Sequence, residues 1–274
     1  MKYRYFKTGR SSYATFSHLL DFFDANDLIT EVTIPDDAQT RPARDYIQWI
    51  SDKIILGDRI KLKDLPEWWD IKQCEYMLRQ NDKAFQYVKV QTPELCKLAV
   101  QKNGFALKHV KDEFNTEELC KLAVQRHGCA LQFVKDKFNT EKLCKLAVQR
   151  DGFALQFVKV QTPELCKLAV QENGYALQFV KVQTYELCEI AVQLKGCALQ
   201  YVKDRFKTYD LCKLAVQQDG YAIHDVKNQT RELCIIAVQK NGFAIEAVRN
   251  HTRELCRLAL QQDTRAMHYI NFKF

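Results

Sequence analysis

Long apolar runs are missing from this chain of 274 residues, and without a stretch of about 20 hydrophobic residues no segment reads as a membrane-spanning helix. The opening MKYRYFKTGRSSYATFSHLL lacks the apolar core and small-residue cleavage site of a secretory signal, so the expected location is the cytoplasm. Serine is scarce. Ser11, Ser12, Ser17 and Ser51 all stand near the N-terminus, which leaves the rest of the chain without a serine nucleophile. Each glycine after residue 70 stands alone between hydrophobic segments, so no glycine-rich phosphate loop is present. The six histidines, His18, His109, His127, His224, His251 and His268, share no cysteine or carboxylate at a recurring ligand or triad spacing. Asp36 and Asp37 are the one carboxylate pair near the N-terminus, and they read as turn formers. The expectation is a protein that is not an enzyme, with no catalytic residues, no metal site and no cofactor.

What the chain has in abundance is repetition. Between Asp70 and Phe274 one theme, clearest in TPELCKLAVQKNGFALKHVK, returns nine times. Its cysteine recurs at Cys74, Cys96, Cys120, Cys144, Cys166, Cys188, Cys212, Cys234 and Cys256, every 22 or 24 residues. A fixed period of this length marks a stack of supersecondary units rather than one globule. The 11 cysteines are too few for a disulfide-built scaffold. Packed helical repeats lie about 10 Å apart, beyond the roughly 7 Å Cα separation that a disulfide spans. The repeated cysteines therefore read as small buried hydrophobes in a reducing compartment.

One repeat can be read residue by residue. Threonine opens eight of them, at Thr92, Thr116, Thr140, Thr162, Thr184, Thr208, Thr230 and Thr252, where its hydroxyl can cap a helix N-terminus. Pro93 and Pro163 follow at the first helical position, which tolerates proline best. Leu95, Cys96, Leu98, Ala99 and Val100 form a wide apolar face beside a polar stripe of Glu94, Lys97 and Gln101. Gly104 and its counterparts predict a left-handed C-terminal cap. Ala106, Leu107 and Val110 then predict the inward face of a second, shorter helix. In the longer repeats the two extra residues fall in a connecting loop with Phe114, Phe138 or Phe206. The first repeat carries Asp70 as its cap and Asp82 for glycine, and the last carries Thr264 and Arg265 where glycine and an aromatic or cysteine are usual. The fold class that follows is mainly α: an α-solenoid of about nine short helical hairpins over residues 70–274, preceded by a small mixed α/β module at 1–69.

That N-terminal module shows no repeat. TEVTI alternates like a half-buried strand, and KIIL and RIKL flank Gly57-Asp58, a pair typical of a tight hairpin turn. Ala43 to Ser51 predicts a short helix, and Trp68 and Trp69 predict a lid on the first hairpin. Residues 1–70 hold 10 Lys+Arg against 12 Asp+Glu, whereas residues 71–274 hold 31 against 22. The basic excess belongs to the repeats.

The pattern LCKLAVQ-NG-ALQFVK-QT over residues 71–274 resembles a helical repeat family of unknown function, abundant in giant viruses of amoebae and in bacteria that live in amoebae. VTIPDDAQ followed by DKIILGDRIKL is similar to the leader that precedes repeat arrays in mimivirus-type proteins. The resemblance implies a viral protein acting in host cytoplasm or carried in a virion. It supplies no catalytic residue.

Two uses of such a stack remain open. As a scaffold it would bind a protein partner where repeats differ most, at the turn inside the hairpins: Lys102-Asn103, Arg126-His127, Arg150-Asp151, Glu172-Asn173, Leu194-Lys195, Gln218-Asp219, Lys240-Asn241 and Gln262-Asp263. Turns also vary simply because they tolerate change. The alternative is RNA or DNA binding through basic ladders, motivated by the net charge of +7. One ladder is Lys97, Lys121, Lys145, Lys167, Lys213 and Arg257; the other is Lys89, Lys111, Lys135, Lys159, Lys181, Lys203, Lys227 and Arg249. Phe105, Phe153, Tyr175, Tyr221 and Phe243 could stack bases or fill core. Acidic residues three places before the first ladder predict pairing along each helix, and helix C-termini suit the cations of the second. Tyr269, Ile270, Phe272 and Phe274 leave an apolar tail, which predicts association of copies through the C-terminal end.

Overall fold

The computed structural model describes the backbone of six strands between residues 5 and 61 and the full residues 70–270. The chain divides into two compact parts, Met1–Arg126 and His127–Phe274. The boundary falls within a repeat.

In the first part, strands β1 (Tyr5–Lys7), β2 (Ser12–Thr15), β3 (Leu28–Thr33), β4 (Thr40–Pro42), β5 (Trp49–Ser51) and β6 (Ile55–Lys61) form one sheet. Their order is β4-β5-β2-β1-β3-β6, and the neighbouring strands pair antiparallel. The alternation in TEVT is realised in β3. The hairpin expected at Gly57-Asp58 does not form, because both residues lie inside β6, which pairs along the length of β3. A register shift between Thr30 and Val32 accommodates them, and a glycine within a strand is as suited to such an irregularity as to a turn. Trp49–Ser51, expected to end a helix, instead pairs with β2 and β4. Residues 43–48, Asp36, Asp37, Trp68 and Trp69 lie outside the described residues.

The same part continues into helices α1 (Ile71–Gln80), α2 (Pro93–Lys102) and α3 (Glu117–Arg126). The second part holds α4 (Glu141–Arg150), α5 (Pro163–Glu172), α6 (Tyr185–Leu194), α7 (Tyr209–Gln218), α8 (Arg231–Lys240) and α9 (Arg253–Gln262). All are 10 residues long, too short to persist alone in water, so packing must hold them. Their starts are set by the threonines: Thr162 Oγ1 accepts from the Leu165 amide at 3.3 Å, and the other seven caps do the same. Asp70 substitutes in α1, accepting from Gln73 at 2.8 Å.

Leucine, cysteine, alanine and valine face inward in α2 to α8, with Cys74, Met77 and Leu78 in α1 and Leu255, Cys256 and Ala259 in α9; in α5 these are Leu165, Cys166, Ala169 and Val170, none more than 5% exposed. The second element of each hairpin is a six-residue 3-10 helix, as at Gly174–Phe179. Three residues per turn place Gly174, Leu177 and Val180 in line, and all three are buried. Tyr175 and Gln178 fall outside that line. The hairpins therefore stack as expected, with an α layer and a 3-10 layer.

The glycine's reason differs from the one expected. It starts the 3-10 segment, and the residue that ends the α-helix, Asn173 in α5, has an extended backbone (φ −150°, ψ 114°) rather than a left-handed one. A Cβ on Gly174 would stand 2.6 Å from the Ala191 carbonyl oxygen of the next repeat. The corresponding distances at Gly128, Gly152, Gly196, Gly220 and Gly242 are 2.4 to 2.8 Å. Glycine is there because successive repeats touch backbone to backbone.

Buried amides tie repeat to repeat. Gln183, 5% exposed, donates to the Tyr201 carbonyl at 2.7 Å and the Leu177 carbonyl at 3.5 Å, and accepts from the Lys203 amide at 3.0 Å. Gln161 and Gln229 repeat this bridge, and Gln91 makes it to His109 and Lys111. Where Lys207 replaces the glutamine, its ammonium donates to the Asp225 carbonyl at 3.3 Å. The repeated cysteine completes the arrangement. Cys188 Sγ donates to Gln183 Oε1 at 3.8 Å, and Cys144 to Asn139 Oδ1 at 2.9 Å.

Candidate functional site

Two surfaces carry the residues singled out from the sequence. On the α layer, Lys145, Lys167 and Lys213 are each ion-paired, but across repeats rather than along a helix. Lys145 reaches Glu164 at 2.6 Å, Lys167 reaches Glu186 at 2.7 Å and Lys213 reaches Glu232 at 2.7 Å. The pairing expected three residues apart on the helix, Glu164 with Lys167 and Asp210 with Lys213, gives way to a glutamate of the next repeat. Lys145 draws the Glu164 carboxyl below its usual range and is itself raised, and Lys213 does the same with Glu232. Lys97, Lys121 and Arg257 are exposed on α2, α3 and α9.

Four cations of the second ladder are engaged with backbone. Lys181 donates to the Lys159 carbonyl at 2.9 Å, Lys203 to Lys181 at 3.2 Å, Arg249 to Lys227 at 2.8 Å and Lys111 to Lys89 at 3.0 Å. Each cation thus reaches the same place one repeat earlier. Lys159 also pairs with Asp136 at 2.6 Å.

The turn pairs divide by role. The second member of each is the N-cap of the 3-10 segment: Asn103, Asp151, Asn173, Asp219 and Asn241 accept from the amide two residues on, at 2.9 to 3.0 Å. Asp151 and Asp219 accept in addition from the thiols of Cys129 and Cys197, at 3.1 and 3.2 Å. His127 holds the same cap position. The first members, Arg126, Arg150, Glu172, Gln218 and Lys240, are exposed, whereas Lys102, also exposed, donates to the Arg79 carbonyl at 2.8 Å. The aromatic residues behind the glycines pack edge to face with the next repeat, as Phe153 on Phe179, Tyr175 on Tyr201 and Phe243 on Tyr269. Tyr269 is exposed and Ile270 buried; Phe272 and Phe274 lie outside the described residues.

No reactive thiol emerges among the described cysteines that titrate away from their ordinary value. Burial pushes Cys74, Cys96 and Cys188 up to about 11, and burial together with the neighbouring aspartate pushes Cys129 and Cys197 up to about 12. A cleft of about 310 Å³ between Asp136, Glu141, Cys144 and Lys159 contains such a thiol, held neutral by burial. Among the described residues no group of three or more His, Cys, Asp or Glu could hold a metal ion, and no helix is long and apolar enough to cross a membrane.

Every hairpin therefore repeats one surface, and that repetition is what comparison detects. A family model described as a domain of unknown function, DUF4116, matches residues 92–139, 116–161 and 184–231. The repeats are similar to that family. Each match begins at a capping threonine, Thr92, Thr116 or Thr184, and extends over about two hairpins, so the DUF4116 pattern corresponds to a pair of stacked repeats. No curated protein and no solved structure matches the chain.

Two sets of residues escaped the sequence reading. The bridging glutamines were signalled by QT recurring before the helices. The second set is the glutamine that ends every AVQ or ALQ, at Gln101, Gln125, Gln149, Gln171, Gln193, Gln217, Gln239 and Gln261, all exposed. Its recurrence was visible, but it read as part of a solvated stripe.

Proposed function

We propose that the chain is a non-catalytic scaffold that holds a protein partner on its stacked repeats, acting in the cytoplasm of an infected amoeba or carried in a virion. One observation carries the preference for protein over nucleic acid: three of the six cations in the ladder on the α layer, Lys145, Lys167 and Lys213, are neutralised by glutamates of the next repeat, which interrupts that ladder. A phosphate track needs uncompensated cations. The exposed positions that vary, Arg150, Glu172, Gln218 and Lys240, mix signs and neutral groups, which suits the polar surface of another protein. The viral setting rests on the resemblance read from the sequence alone, in the LCKLAVQ-NG-ALQFVK-QT pattern and the VTIPDDAQ segment.

A tagged chain expressed in amoebal cells and recovered after nuclease treatment tests the reading. The expected result is a reproducible protein partner whose yield survives nuclease and falls at least several-fold when those four residues are changed together to alanine. Recovery that nuclease abolishes would replace protein by RNA or DNA. No reproducible partner would overturn the scaffold.

A further inference from the structure

On α4 to α9 the residue just before the last helical position is always glutamine: Gln149, Gln171, Gln193, Gln217, Gln239 and Gln261. The residue that follows is free to differ, being Arg150, Glu172, Leu194, Gln218, Lys240 or Gln262. Those are all good helix formers, so helix propensity does not select glutamine at the preceding place. Burial does not select it either, because all six glutamines are exposed, and none of their side-chain amides makes a hydrogen bond among the described residues. A group repeated without variation, exposed and unused by the fold, is one that a ligand can use.

The neighbours say what kind of ligand. Three residues earlier on the same helix face stands a half-buried leucine or isoleucine, such as Leu168, Ile190 and Leu214. Four residues earlier, Lys145, Lys167 and Lys213 are neutralised by glutamates of the next helix. Around Gln149, Gln171 and Gln217 the strip is thus apolar and charge-compensated, while Glu189, Ile235 and Arg257 hold the same place beside Gln193, Gln239 and Gln261; along it runs a row of primary amides offering two donors and one acceptor each. That chemistry matches neutral peptide groups rather than phosphates.

Spacing narrows it further. Packed helices recur at about 8–10 Å. A polyproline II chain advances about 9.3 Å per three-residue turn and leaves all its carbonyls free, whereas a β-strand presents the same edge about every 6.7 Å, out of step with the helices. We propose that this glutamine strip binds an extended polypeptide in the polyproline II conformation, one three-residue turn per repeat, with each Nε2 donating to a backbone carbonyl. The proposal rests on the protein-scaffold reading above and names the form of the partner.

The test pans the full-length chain against a displayed library of random 15-residue peptides and resynthesises the best binder. Changing Gln171, Gln193 and Gln217 together to alanine is expected to weaken that peptide at least about tenfold, the loss of three modest hydrogen bonds, with helical circular dichroism unchanged. Replacing backbone amides by esters, which weakens the carbonyl acceptor, should harm binding with a period of three along the peptide. Failure to select a peptide, indifference to the glutamine changes, a period of two, or displacement by an unstructured oligonucleotide would each overturn the inference. A cellular partner whose capture depends on Arg150, Glu172, Gln218 and Lys240 but not on the glutamines overturns it too, and leaves the scaffold reading in place.

Discussion

Gly174 shows how much a single hydrogen in place of a methyl can decide. The Ala191 carbonyl of the next repeat occupies the space that a Cβ would need, at 2.6 Å, so any larger residue forces two backbones apart. Gly174→Ala is expected to cost about 1–3 kcal/mol, the usual penalty of overpacking, where an ordinary glycine in a helix would gain stability on the same change. Gly174→Asn separates this cause from a left-handed cap, since asparagine tolerates that conformation well. Equal or greater destabilisation by asparagine in urea denaturation supports close approach, and tolerance of asparagine with intolerance of alanine refutes it. The sequence displayed the glycine period plainly, yet it could not distinguish a need for unusual dihedral angles from a need for space, because both exclude Cβ.

At the scale of the element, helices of 10 residues gain their order from neighbours, and the bridging glutamine before four of the threonine caps is a polar part of that support. Gln183 satisfies two carbonyls and one amide that the junction would otherwise bury without partners. Gln183→Leu keeps the volume and removes these three bonds and the one from Cys188, and the expected loss is about 2 kcal/mol or more. The exposed Gln193 is the internal control: Gln193→Leu should move stability by no more than about 0.5 kcal/mol. Matching losses for the two variants in chemical denaturation would show that the bridge contributes nothing. Both residues are glutamine in recurring contexts, QT for the first and AVQ for the second, and neither context by itself says which is buried. Only the packing of one repeat against the next makes the first a staple and leaves the second free.

Across the whole molecule ten cysteines, eight at the repeated position together with Cys129 and Cys197, act as a collective titration. A thiol whose folded pKa is raised stays protonated while its unfolded counterpart ionises, so its contribution to stability is complete below the ordinary thiol range and declines as pH rises toward the folded value. Burial is the first cause throughout, with Cys74, Cys96 and Cys188 raised to about 11, Cys129 and Cys197 to about 12, and Cys144, Cys166, Cys212, Cys234 and Cys256 raised as well. The window therefore opens near pH 9, and unfolding should become progressively easier above it. Thiolate absorbance near 240 nm is expected to emerge together with loss of helical ellipticity, not before it. Thiolates that titrate near pH 9 with the helices intact would contradict the burial that organises every repeat.

The amino-acid order alone determined the period, the threonine caps, the inward leucine, cysteine, alanine and valine, and hence a stack of hairpins, because these depend on local capping and on apolar spacing that one repeat already contains. The tertiary structure decided which partner each lysine takes, why glycine stands where it does, how the Gly57-Asp58 segment joins a strand, and which glutamines are buried. Those depend on the distance between segments about 20 residues apart, and a linear pattern does not hold that distance.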